Sequence, residues 1–159
     1  LPIQVGGIQH QVANITDLMP TILDLTDVAV PSGHKVDGNR LNKLLTGKSD
    51  SSRKEAFLMH YPHGHHRSDY FTVWRDGDWK VIYHTFPDRK PIGPRLQSGG
   101  ERYELFNLAK DPFENHNLAK EEPKQLRKMM GGLIRALKNH KAVYPISDDG
   151  KVLPPVMPK

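Results

Sequence analysis

Four of the nine histidines in this chain fall within seven positions, His60-Tyr61-Pro62-His63-Gly64-His65-His66. Near neutral pH an imidazole can donate or accept a hydrogen bond or ligate a metal, and a partly protonated cluster favours an anion. The run therefore offers ligand contact, a metal centre that Asp69 could join, or an exposed polar loop with one or two rings packed by Tyr61 and Pro62. A zinc site would need three or more rings to converge across a loop that Pro62 and Gly64 interrupt, which disfavours the second option. No Cys is present, so thiolate nucleophiles, disulfides and sulfur-ligated zinc are excluded.

In the whole chain 23 Lys and Arg against 18 Asp and Glu give a net charge of +5. An acidic partner is conceivable, yet the bases are scattered rather than blocked, and no nucleic-acid partner is expected. Hydrophobic residues are 36% of the chain, which implies a modest core and much loop. No window approaches the roughly 20 apolar residues that cross a bilayer, so no membrane partner is expected.

The elements that would carry the cluster are legible in turn signals and periodicity. Thr16 is placed to cap a helix running through Pro20 to Leu25, with Leu18, Ile22 and Leu25 on one face. Leu41, Leu44 and Leu45 form one apolar turn closed by Gly47, and the polar segment 48–53 reads as exposed. Strands are predicted at 56–61, 70–75, 78–84 and 102–106, with Asp76-Gly77 supplying the positive φ of a tight hairpin between the second and third. Thr85 to Gly100, with three Pro and three Gly, is irregular. A helix over about 121–140 presents Leu126, Met129, Met130, Leu133 and Leu137 as an apolar stripe, and Gly131-Gly132 makes it dependent on packing.

Asp17-Leu18-Met19-Pro20-Thr21-Ile22-Leu23-Asp24-Leu25, then Asp37-Gly38, resembles the later part of sulfatases of the alkaline-phosphatase superfamily. So do Trp74-Arg75-Asp76-Gly77-Asp78-Trp79-Lys80-Val81-Ile82, Tyr103-Glu104-Leu105-Phe106-Asn107-Leu108, Asp111-Pro112-Phe113-Glu114 and Asn117-Leu118-Ala119. Each alone is a scaffold motif; their shared order over about residues 12–140 carries the resemblance. It implies an α+β fold: a small four-stranded antiparallel sheet with a packed C-terminal helix, preceded by a remnant of the larger α/β domain. The domains expected are 1–50 for the remnant, 51–144 for the small sheet with its helix, and 145–159 for a Pro-rich tail.

The same resemblance implies a formylglycine nucleophile made from C/S-x-P-x-R, calcium held by acidic residues, and catalytic His and Lys. None of these motifs is in this chain: it has no Cys, and none of its seven Ser begins such a run. The chain is therefore expected to be inactive alone, with calcium and formylglycine supplied by an N-terminal sulfatase domain as partner and a sulfated small molecule or glycan as substrate. Its start at Leu1-Pro2, without Met, suits a fragment or processed product. By resemblance His60 and His63 face the active-site mouth and contact the sugar or aryl part of the substrate, and the setting is periplasmic, secreted or lysosome-like. Two other readings stay open, a stand-alone binding module for acidic polymers and a partner subunit completing a separate catalytic domain. A phosphodiesterase relative is also compatible with the motifs.

Overall fold

The helix signalled around Pro20 starts earlier than its apolar residues suggest. In the computed structural model, which describes residues 2–53, 55–62, 70–87 and 100–159, Asn14 is the capping residue. Its side chain accepts from the Thr16 amide at 2.8 Å, while the Asp17 carboxylate accepts from the Asn14 amide at 3.0 Å, a reciprocal capping box. That box closes a 3-10 turn, Ile15–Asp17, which continues into α1, Leu18–Leu25. The expected cap at Thr16 is thus displaced by two residues. The face shared by Leu18, Ile22 and Leu25 is exposed within its unit, Ile22 at 57%, and it is Asp17, Pro20 and Thr21 that are buried.

Polar pairing explains that inversion. Asp17, 1% exposed, also accepts from the Asn39 amide at 2.7 Å and from the Arg53 guanidinium at 2.7 Å. Desolvation pushes the Asp17 carboxyl up, but hydrogen bonds from Asn39, Arg53 and Asn14 outweigh it and hold the pKa below its ordinary value. Thr21 donates to the Asp17 carbonyl and accepts from the Leu41 amide. Gly38 lies so close to this cluster that a Cβ there would stand 2.0 Å from the Thr16 carbonyl oxygen. The short helix α2, Asn42–Leu45, buries Leu44 and stops before Gly47. Segment 48–53, expected to be exposed, is partly interior: Asp50 is buried, and Arg53 reaches both Val12 and Asp17. The Ser52 hydroxyl, Lys43 ammonium and Ser52 amide bring the Asp50 carboxyl down to about 2. Residues Leu1–Glu55 form this first unit, and Ala56–Lys159 form the second.

The second unit is the small antiparallel sheet, built from β1 (Ala56–Tyr61), β2 (Phe71–Asp76), β3 (Trp79–His84) and β4 (Tyr103–Asn107) in the order β1-β2-β3-β4. Asp76 pairs with Trp79, so the loop residues are Gly77 and Asp78, one position later than the expected Asp76-Gly77. Gly77 takes φ +57° at the first loop position, the place a two-residue turn reserves for glycine. Strand alternation places Leu58, Trp74, Val81, Tyr83 and Leu105 on one face, against α3, Pro123–Asn139.

Pro123 opens α3 at a position where its missing N–H costs nothing, and Leu126, Met129, Met130, Leu133 and Leu137 are all buried as the stripe predicts. The reason for glycine at 132 is contact with the sheet. A Cβ there would lie 2.5 Å from the Trp74 indole nitrogen, so the bare helix backbone is what admits the ring. Residues 145–159 cluster with this unit; Ile146 bridges Val152, and the Tyr103 hydroxyl donates to the Val156 carbonyl at 2.9 Å.

Candidate functional site

His60 sits on β1 opposite Thr72 of β2, on the face that α3 covers. Its Nε2 lies 2.8 Å from the Val143 carbonyl, which can only accept, so this nitrogen carries a proton. In the neutral ring Nδ1 then accepts from the Thr72 hydroxyl, also at 2.8 Å. Tyr144 meets the ring edge-on, with centroids 6.4 Å apart. His60 therefore ties the end of β1 to β2 and to the segment after α3. With both nitrogens engaged, any contact it makes with a ligand runs through its ring carbons. The next residue, Tyr61, stacks on Phe71 at 5.5 Å. His63 lies outside the described residues, as do His65, His66 and Asp69.

Two scaffold motifs that are remote in sequence meet on the other face of the sheet. Lys80 of the Trp-Lys motif donates to both carboxylate oxygens of Glu114, at 2.7 and 2.6 Å. Glu114 holds this position with φ +57°, a left-handed conformation unusual for a residue with a Cβ. Ahead of it Asp111 accepts from the His116 amide, and hydrogen bonds from the His116, Asn115, Phe113 and Glu114 amides hold its carboxyl below the usual range. Asn117 then finishes the sheet: its side-chain oxygen accepts from Leu105, its amide donates to Tyr103, and Leu118 donates to the Leu105 carbonyl. The outer edge of β4 is thereby covered rather than left to pair with another strand.

Lys80 and Glu114 lie at the rim of a shallow recess of about 530 Å³ on the sheet face away from α3. Its floor is apolar, with Phe57, Met59, Phe71, Val73, Ile82 and Phe106. At its rim Lys80 pairs with Glu114 and His84 hydrogen-bonds Glu104 at 2.6 Å, while Arg75 has a backbone partner, the Gly77 carbonyl at 3.1 Å. The extent of the apolar floor suits packing against another surface.

Chemistry of the family type also fails a donor test here. Among the described residues no three His, Asp or Glu side chains converge as metal ligands. Without Cys or an S-x-P-x-R run, no residue of this chain fits the formylglycine precursor. No helix among the described residues is long and apolar enough to cross a membrane.

The sequence points to His60 but not to its partners, and Lys80 and Glu114 stand in it as separate scaffold positions. The pair is separated by 34 residues, and only their charges and the Asp-Pro turn hint at it.

Residues 2–141 match the family described as N-sulphoglucosamine sulphohydrolase, C-terminal. Mouse (Mus musculus) steryl-sulfatase is 26% identical over 153 residues, covering 86% of this chain and 24% of the relative. Mouse arylsulfatase K is 28% identical over 139 residues, covering 83% and 22%. The chain thus spans about a quarter of the length of these curated relatives. One solved structure, of a protein in complex with its substrate D-glucosamine-2-N,6-O-disulfate, is 27% identical with a TM-score of 0.56, covering 79% of this chain and 24% of that one. The four-stranded sheet with its terminal helix is the C-terminal portion of the alkaline-phosphatase-like sulfatase fold. On the match over residues 2–141, this chain belongs to the sulfatases, in the N-sulphoglucosamine sulphohydrolase C-terminal family.

Proposed function

We propose that this chain is the C-terminal part of a hydrolase of sulfate esters, acting as scaffold and as one wall of the substrate mouth. The family match over residues 2–141 carries the reading. The bare sheet face supports it, because an apolar floor of this kind is stabilised by about 25 cal/mol for each Å² that a partner covers. The partner in this reading is the N-terminal sulfatase domain. The exposed apolar side of α1 is a second surface that such a domain would bury.

Hydrolysis of a sulfate monoester needs a nucleophile, charge stabilisation of the sulfate oxygens and an acid for the leaving oxygen. Formylglycine, for which this chain has no precursor run, and calcium, for which no acidic ligands converge among the described residues, belong in this reading to the N-terminal domain. The share of this chain is positioning. His60, held by Thr72 and Val143, fixes the root of the β1–β2 loop, and His63 in that loop contacts the sugar or aryl portion of the ester. The substrate class is a sulfated small molecule or glycan, and the setting is periplasmic, secreted or lysosome-like.

The test is sulfate release from a generic aryl sulfate by the full-length protein and by the 159-residue chain alone. The full-length protein is expected to turn over and the isolated chain to show none, with or without calcium. Turnover by the chain alone after rigorous removal of contaminating enzyme would falsify the division of labour, and its absence from the full-length protein would overturn the hydrolase reading.

A further inference from the structure

Five side chains with ionisable groups line the recess on the bare face of the sheet among the described residues: Arg75, Lys80, His84, Glu104 and Glu114. Both carboxylates are taken, Glu114 by Lys80 and Glu104 by His84, each at 2.6 Å. Arg75 has no carboxylate within 4 Å among the described residues. Its Nε donates to the Gly77 carbonyl at 3.1 Å, which steadies the guanidinium and leaves the Nη1–Nη2 edge without a hydrogen-bond partner among the described residues.

Its place in the sheet separates Arg75 from other cations of the chain that lack a carboxylate. Lys35, Lys48, Lys141 and Lys159 are exposed and keep their water. Arg75 is half-buried and stands in the cross-strand row Phe57-Arg75-Lys80-Phe106, with a second cation as its direct neighbour on β3 and a phenylalanine on β1. The next row, Met59-Val73-Ile82-Glu104, is apolar at every position but the last. A surface that settles on these rows takes water from the guanidinium as well as from the apolar floor. Without a counter-charge that desolvation opposes docking, whereas a carboxylate on the Nη1–Nη2 edge replaces the lost water with two parallel charge-assisted hydrogen bonds.

We propose that a carboxylate of the N-terminal sulfatase domain seats on the Nη1–Nη2 edge of Arg75 and sets the register in which that domain covers the recess. This rests on the reading of the chain as one part of a sulfatase. The matching stretch is 24% and 22% of two curated relatives, so the covering surface in this reading belongs to the same molecule. Arg75 is then a positioning residue, acting on the seat of the small sheet rather than on substrate. A sulfated substrate fits less well, because a hydrated anion at Arg75 leaves the apolar floor of all four strands uncovered. A second copy docked by a two-fold contact through this face fits less well too, since it sets one row of cations against another.

The experiment treats the full-length protein carrying Arg75→Lys with a water-soluble carbodiimide, which joins an ammonium to a touching carboxylate as an amide and takes up the water released. Peptide mass spectrometry is expected to find position 75 linked to an Asp or Glu of the N-terminal domain within one molecule. Arg75→Gln is expected to lower the thermal midpoint of the full-length protein by about 3 °C, and Arg75→Lys by less than half as much. Exchanging the charges, with Arg75→Glu and an arginine at the linked carboxylate position, is expected to recover at least half of that loss, which a merely structural role of the arginine would not allow. Linkage of position 75 to Glu104 or Glu114 alone, or to nothing, overturns the proposal, and linkage between two molecules overturns it in favour of a second copy. An unchanged midpoint in Arg75→Gln together with a raised KM for an aryl sulfate overturns it in favour of substrate contact. Neither link nor midpoint requires turnover, so both are read even in a protein that hydrolyses no sulfate ester, the result that would sink the hydrolase reading by itself.

Discussion

Gly131 and Gly132 are neighbours in α3, yet the structure predicts that replacing them with Ala has opposite effects. In a helix interior Ala is favoured over Gly by about 1 kcal/mol through backbone entropy, and this applies to both positions. At Gly131 a new Cβ meets only the end of the Arg135 side chain, at 3.4 Å, which can move. Gly131→Ala should therefore stabilise by about 0.5–1 kcal/mol. At Gly132 the Cβ would fall 2.5 Å from the Trp74 indole nitrogen and 3.2–3.3 Å from two further ring atoms. Trp74 is a rigid ring wedged between sheet and helix, so the helix or the ring must shift, at an overpacking cost of about 1–3 kcal/mol. The propensity gain is common to both variants and cancels in their difference, which isolates the clash at about 1–3 kcal/mol. Urea denaturation of the 159-residue chain reads both free energies, and a Trp74→Leu background supplies the control in which Gly132→Ala turns stabilising. Equal effects of the two Ala variants in the native background would refute close packing of Trp74 on the α3 backbone.

Three other perturbations follow from the same geometry. Gly77→Val should destabilise by more than about 1 kcal/mol through backbone strain alone, since nothing lies within 4 Å of its Cβ position; the denaturation midpoint tests this. Arg53→Ala should cost about 3–5 kcal/mol, because it leaves the buried Asp17 carboxylate without its cation. With a folded pKa below 3.8, the contribution of Asp17 is complete above that value and is lost as pH falls through the folded pKa, so the deficit of Asp17→Asn at pH 7 should shrink in acid. His60→Ala, which leaves the Thr72 hydroxyl and the Val143 carbonyl unpaired, should cost about 1–3 kcal/mol of stability. His63→Ala in the full-length enzyme should instead leave stability unchanged and weaken catalysis on the natural ester by about 1–3 kcal/mol, with a smaller loss on a small aryl sulfate.

The small sheet was legible because its signals are local. Period-two alternation of aromatic and β-branched residues around Gly77 places all four strands to within one residue, and the stripe from Leu126 to Leu137 places α3 to within two. The turn itself was misplaced by one position because Asp-Gly reads equally well as strand end plus first loop residue. Long-range polar pairing had no local signal. Arg53 in a polar run looked solvated, and nothing near it in sequence points to Asp17, 36 residues away. The cap at Asn14 was hidden for a related reason, since Thr16 is also a good capping residue and only the reciprocal bond from Asp17 decides between them. The orientation of α1 in its unit was illegible because its apolar stripe predicts a buried face, whereas the polar network around Asp17 sets which side turns inward.

Sulfate-ester hydrolysis is the chemistry proposed for the whole protein, and three esters of one phenol that differ in the transferred group test it most directly. The measurement is kcat/KM of the full-length protein for a nitrophenyl sulfate and for the phosphate monoester and phosphodiester of the same phenol, under one set of conditions. The sulfate is predicted to be turned over at least a hundredfold more efficiently than either phosphate, a difference of about 2.7 kcal/mol in transition-state binding. Preference for a phosphate ester, or equal turnover of all three, would contradict it.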